Sequence, residues 1–211
     1  LFNTFPVIAL DSLSSTGVGD GRLLRFKVTA DSHGDVGIYK FNFTLATTTI
    51  SITNIGLFGY TDSGYSTAMS GNFAVGGTSN GGQIDENLAT TSLACVSATT
   101  NTTNAGSSCA STASLSTLII KAATNPVEIP AGQTRYFELR GSIASNASGA
   151  SVVTKMLADS SAATSTASGV SGSFVWSANA TSTSVFSSND WTTGYGIVGF
   201  PTSGLLQSRS Y

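Results

Sequence analysis

Three short stretches have spacings that chemistry could use. "GYGIVG" (194–199) fits G-x-G-x-x-G, the glycine pattern that brings backbone amides against a dinucleotide pyrophosphate. That site also needs a helix after the glycines and an acidic residue about 20 positions later. Only 12 residues follow Gly199, Pro201 is among the first of them, and none is acidic. The stretch therefore reads as a last strand with glycines at its ends, and no cofactor is expected. "GTSNG" (77–81) fits the nucleophile elbow around Ser79, which needs a strand before it, a helix after it, and a histidine and an acid as partners. The one histidine, His33, lies in a turn ahead of a strand, and Ser79 reads as a loop residue. "DSHGD" places Asp31, His33 and Asp35 within five residues, with Asp20 or Asp62 as candidates to complete a calcium shell. A hard cation wants about six to eight oxygens. An Asx-type turn is the plainer reading.

Cys95 and Cys109 bound the 15-residue stretch "CVSATTNTTNAGSSC", with no zinc ligand set around them. A disulfide is expected in an exported chain, with two separate thiols as the alternative. A bridge closing that loop contributes about 3 kcal/mol on the chain-entropy account. Sequons begin at Asn42, Asn101, Asn146 and Asn179, candidate glycan acceptors if the chain passes through a glycosylating export route. Trp176, Trp191 and Tyr195 could stack on a sugar or, more ordinarily, face a core.

Composition narrows the class. Charged residues make up 9% of the 211, against about 25% in an ordinary domain, and Ser plus Thr roughly 30%. With 40% hydrophobic residues the chain has a core, and its surface carries hydroxyls rather than charges. Nine basic residues fall singly along the sequence and the net charge is −2, so no phosphate-tracking surface for nucleic acid is expected. No apolar run reaches the ~18 residues of a membrane span. A chain beginning at Leu1 with no signal peptide is expected to be a processed, exported protein or an excised fragment.

The elements that must position these residues are strands. "RLLRFKVTA" sets Leu24, Phe26, Val28 and Ala30 against Arg25, Lys27 and Thr29. "YKFNFTL" and "TRYFELRGSI" alternate in the same way, the latter with Phe137, Leu139 and Ile143 inward and Glu138 and Arg140 outward. In "TISITNIGLFG" the parity of Ile50 and Ile52 gives way to that of Ile55 and Leu57, which predicts a β-bulge at Thr53–Asn54. Weaker strands are expected at 7–10, 73–75, 93–96, 118–121, 127–129, 152–157, 173–176 and 195–198, and polar loops at 97–114, 144–150 and 160–171. The fold class is all-β: a two-sheet antiparallel β-sandwich, Ig-like or jelly-roll-like, with long polar loops.

The N-terminus departs from alternation. Phe5, Val7, Ile8 and Leu10 make both parities apolar, so this segment expects burial on two sides, and the polar "DSLSSTGVGDG" follows it. The division expected is an N-terminal strand, 1–12, open to donation to a neighbouring subunit, and one sandwich domain, 13–211.

Four longer stretches, "GDVGIYKFNFTL", "LFGYTDSGYST", "IPAGQTRYFELRGSI" and "FVWSANATSTSVFSSNDWTTGYGIVGFP", resemble successive landmarks of Ser/Thr-rich β-sandwich domains in cell-surface proteins of uncultured bacteria. The resemblance runs from about residue 22 to 205. It implies a secreted, surface-exposed building block and supplies no catalytic residues. The sequence expectation is a non-enzymatic, extracellular structural subunit of a filament or surface layer, its partners being copies of itself. A carbohydrate-binding or adhesive module with glycan partners is the alternative. Only four Lys and four Pro are present, few of the devices that blunt exposed sheet edges.

Overall fold

Where apolar and polar residues alternate, the chain is extended. The computed structural model describes residues 2–13, 17–71, 81–84, 94–97, 115–121, 126–161, 164–165, 172–178 and 191–211, with backbone alone at 94–97, 115–121, 144–147 and 164–165. The strands are β1 Pro6–Leu10, β2 Arg22–Ala30, β3 Val36–Tyr60, β4 Gln83–Ile84, β5 Ala94–Ser97, β6 Leu115–Lys121, β7 Val127–Ile129, β8 Thr134–Met156, β9 Thr164–Ser165, β10 Phe174–Ser177, β11 Trp191–Thr193 and β12 Leu205–Ser210. Among the described residues the one helical piece is the 3-10 turn Val18–Asp20. The chain is all-β.

The strands form one antiparallel sheet in the order β1-β2-β8-β3-β10-β11-β9, with β12 beside β8 and β4, β5, β6 and β7 on β3. Where the sequence reading expected two separate sheets, the pairing is continuous. The sheet nonetheless folds over on itself, nearly as a barrel. Phe26 of β2 stacks on its cross-strand partner Phe137 of β8 at 5.1 Å. The same ring meets Phe41 and Phe43 of β3 at 5.9 and 6.2 Å, although β8 separates the two strands in the sheet. One main core cluster results, with Phe174 and Phe200 closing its β10 side.

That curvature is built into β3 and β8, 25 and 23 residues long against a usual ~5–6. From Phe41 to Leu57 the core positions of β3 run Phe41, Phe43, Leu45, Thr47, then Ile50 and Ile52, then Ile55 and Leu57, so the inward parity flips twice within this stretch. The flips fall at Thr49 and Asn54, which have positive φ of 48° and 52°. Register with β8 shifts at the same places. The bulge expected at Thr53–Asn54 is present. The earlier one is silent in the sequence, because Thr47, Thr48 and Thr49 offer no apolar parity to break. Opposite the later bulge stands Gly141, where a Cβ would lie 2.7 Å from Ile52 Cγ2.

Three expectations are corrected. Residues 144–150, expected as a loop, belong to β8, with Ser145 and Asn146 paired to Ser51 and Ile50. A ladder is made by backbone groups, and small polar side chains do not interrupt it. The 160–171 stretch contains β9, paired to β11. The last strand expected at 195–198 is a turn, because Gly196 and Gly199 take left-handed φ of 73° and 76°. The true last strand is β12. The expected 73–75 strand and most of 97–114 lie outside the described residues.

Candidate functional site

Strand β1 lies at one end of the sheet. It pairs with β2 over its whole length, Ile8 opposite Val28 and Leu10 opposite Phe26. On its other side it has, among the described residues, a single parallel bridge, in which the Ile8 amide donates to the Val198 carbonyl at 2.9 Å. A Cβ on Gly199 would strike the Ile8 carbonyl, so a glycine is needed where the 197–199 turn lies against the strand. Of the four residues expected at a subunit contact, Ile8 is fully buried and Val7 half-buried, while Phe5 and Leu10 are 40% and 37% exposed. The expected burial on both faces is therefore met on one face within a single chain, at Pro6 and Ile8, while Val7 and Ala9 on the other are half-buried. Phe2 and Val198, both 56% exposed, extend the apolar surface around the strand.

Both ends of β1 are tied down. Before it, the buried Thr4 hydroxyl donates to the Gly34 carbonyl at 2.7 Å, and Phe2 packs on the Trp176 ring at 5.1 Å. After it, the Asp11 amide donates to the Arg25 carbonyl, and the Tyr65 hydroxyl donates to Asp11 Oδ2 at 2.8 Å. Tyr65 sits at φ 56° in a loop that Asp62 organises, accepting from the amides of Gly64, Ser66 and Thr67 and from the Ser66 hydroxyl. Those bonds, the Thr67 amide foremost, hold the Asp62 carboxyl down at about 2. Burial, then the bond to Asp11, pushes the Tyr65 phenol far above its ordinary range, so it remains a donor.

Beneath Tyr65 lies an ion-pair network that the linear sequence hides. The Arg25 guanidinium sits 3.8 Å over the Tyr65 ring and 2.6 Å from Glu138 Oε2. Arg22 and Arg140 approach the same carboxylate at 3.5 and 3.8 Å. Arg140 also covers the Phe58 ring at 3.7 Å and donates to the Tyr60 hydroxyl. Glu138 was expected to face outward into solvent. It does lie on the outer face, but these groups leave its side chain 4% exposed. Arg22 continues the network to Asp20, and Asp20 to Arg209, which is fully buried.

The other expected site residues fall apart in space. Asp31 accepts from the amide and ring Nδ1 of His33, whose hydrogen bonds hold that carboxyl down, while Asp35 accepts from the Ala131 amide at 2.7 Å. Asp20 and Asp62 are engaged as above, and no three metal-ligating side chains gather among the described residues. "DSHGD" is an Asx-type turn. Trp176 and Trp191 are each 4% exposed, Trp176 Nε1 donating to the Thr193 carbonyl and Trp191 packing on Tyr39. Of the supposed sugar platform only Tyr195, 49% exposed, reaches solvent. Asn42 is half-buried in mid-β3 and Asn146 is within β8, its side chain undescribed. Ser79, Asn101, Asn179 and Cys109 lie outside the described residues, and of Cys95 only the backbone, in β5, is described.

Sequence reasoning missed Tyr65, Glu138, Arg209 and Asp159. Asp159 accepts from the amides of Ser173, Phe174 and Gly194 at 2.7, 3.1 and 2.9 Å, tying the start of β10 to the end of β11. The "DSG" of the Tyr65 loop was the one usable signal, an Asx-turn pattern.

No family model matches the sequence, and no curated protein matches it. Among solved structures, one described as "Complete structure of manganese lipoxygenase of Gaeumannomyces graminis and partial structure of zonadhesin of Komagataella pastoris" is similar over all of this chain at 8% identity and a TM-score of 0.27. The chain spans half the length of that structure. A score this low carries no inference about fold or function.

Proposed function

We propose that the chain is a non-enzymatic structural subunit of an extracellular, cell-surface homopolymer, a filament or surface layer joined by exchange of β1. The observation that carries the reading is the seat of β1: one ladder to β2, one bridge to Val198, exposed apolar residues around it, and a polar connection behind it. A lone chain fills this groove with its own strand. In an assembly the β1 of a neighbour takes the same register, main-chain bonds giving strength and Ile8 giving specificity. Residues 11–17 extend to at most about 25 Å, enough to carry β1 off its own edge. Head-to-tail exchange does not close on itself and so builds fibres. On this reading the fold is a two-layer sandwich in which β3 and β8 pass from one layer to the other at their bulges. A Cys95–Cys109 disulfide and glycans on the sequons suit an exported polymer, and intact mass before and after reduction reads both.

The test is deletion of residues 1–10. The shortened chain is expected to stay unpolymerised and to take up a synthetic peptide of residues 1–12. Assembly of the shortened chain to the extent of the full one would end this reading.

A further inference from the structure

A second feature, independent of β1, lies on the inner face where β3, β8 and β12 run side by side. Thr47 of β3 and Arg209 of β12 both stand opposite Val152 of β8, and Thr154 is two residues along β8 from that row. Thr154 is thus the diagonal neighbour of both, a separation of about 7–8 Å that a side chain as long as arginine's can span. All three are buried: Arg209 is 1% exposed, Thr154 0% and Thr47 4%. Arg209 Nη2 donates to the Gly17 carbonyl and to Asp20 Oδ1. Its Nε and Nη1, and the hydroxyls of Thr47 and Thr154, have no hydrogen-bond partner among the described residues. Unsatisfied N–H groups on a buried cation are rare, because each forfeits its hydration.

Charge decides which acceptor suits them. The connected ion pairs set four guanidiniums, Arg22, Arg25, Arg140 and Arg209, against two carboxylates, Asp20 and Glu138. Asp11, across the Tyr65 ring, supplies a third. Among the described ion pairs one positive charge remains over, and Arg209, whose side chain is 0% exposed, is the arginine of the four least open to screening by solvent, Arg22 and Arg140 being 44% and 43% exposed. A neutral acceptor such as water would satisfy the donors and leave that charge standing. An anion answers both.

We propose that Arg209, Thr154 and Thr47 form a buried binding site for a small monovalent anion of halide size, such as chloride. Charge-assisted bonds from the guanidinium hold the ion, and the two hydroxyls donate from the neighbouring strands. The site lies inside the sheet, so the anion binds the folded chain and not the unfolded one, and raises stability by mass action.

The full chain is melted in sodium chloride and in sodium gluconate at equal ionic strength, gluconate being too large for an enclosed site. The expected result is a saturable rise in melting temperature of several degrees with chloride and none with gluconate. Thr154→Val keeps the side-chain shape and lacks the hydroxyl, so it tests the site without removing the ion pair that Arg209 makes with Asp20. It is expected to raise the half-saturating chloride concentration by about ten-fold, the equivalent of one charge-assisted bond. Crystals grown in bromide should show an anomalous peak between Arg209 and Thr154. Equal melting in the two salts, an unchanged chloride response in Thr154→Val, or a bromide map empty at Arg209 would each overturn the site.

Discussion

At the scale of single residues, the carboxylates are used to shape the backbone and neutralise arginines. Asp62 is the sharpest case. Its folded-state carboxyl is held at about 2, below its unfolded value near ~3.9. A depressed acid contributes stability that is complete above the unfolded value and lost as pH falls through the folded one. Between about pH 4 and pH 2 the loop that carries Tyr65 should therefore loosen. Asp62→Asn is expected to remove that component of the acid transition and to speed amide exchange at Asp11, read by hydrogen-exchange mass spectrometry across the pH series. Identical acid transitions in the two proteins would show that Asp62 does not anchor the loop. None of this network was legible beforehand. Arg22, Arg25, Glu138 and Arg140 stand up to 118 positions apart, and only the β2–β8 register brings them together. Parity correctly put Glu138 on the outer face, but parity cannot say that a loop and three arginines will cover it.

At the scale of elements, the strictly alternating β2 and the weaker β7 were readable to within a residue or two, whereas the alternating runs 39–45 and 134–143 marked only parts of the long β3 and β8. What misled was polarity. The Ser- and Asn-rich middle of β8 has no apolar rhythm, yet Ser145 and Asn146 pair to β3 and the strand continues through it. The "GYGIVG" stretch has apolar rhythm, yet two left-handed glycines turn it. Short elements here lean on single side chains, and β10 with β11 illustrates the point. They share a ladder of two residue pairs, and Asp159 supplies three further hydrogen bonds between the surrounding backbone segments. Asp159→Ala leaves those part-buried amides without an acceptor and should destabilise by about 2–3 kcal/mol, measured by urea unfolding. Because Trp176 and Trp191 sit on these strands, their fluorescence should shift toward the red in the same variant. A loss under about 0.5 kcal/mol would mean that the ladder and the aromatic packing suffice.

At the scale of the whole molecule, assembly through the β1 groove must be told apart from assembly through some other exposed patch, such as that of Leu206 and Tyr211. Gly199 separates them. The glycine has a left-handed φ of 76°, and a Cβ there would strike the Ile8 carbonyl of whatever β1 lies in the groove. Gly199→Ala therefore pushes the 197–199 turn away from the strand, whether the chain's own or a neighbour's. Gly199 abuts Ile8 of β1, whereas Leu206 stands opposite Lys155 of β8 and the Tyr211 amide donates to the Ala150 carbonyl. If subunits join by exchange of β1, Gly199→Ala should lower the stability of the single chain by about 1–3 kcal/mol for a strained backbone position, and should cut polymer formation in parallel. Uptake of a peptide of residues 1–12 by the chain lacking 1–10 should fall by about ten-fold or more, since the same clash of about 1.4 kcal/mol or above meets the incoming strand. Loss of monomer stability with polymer yield and peptide uptake unchanged would place the subunit contact elsewhere on the molecule.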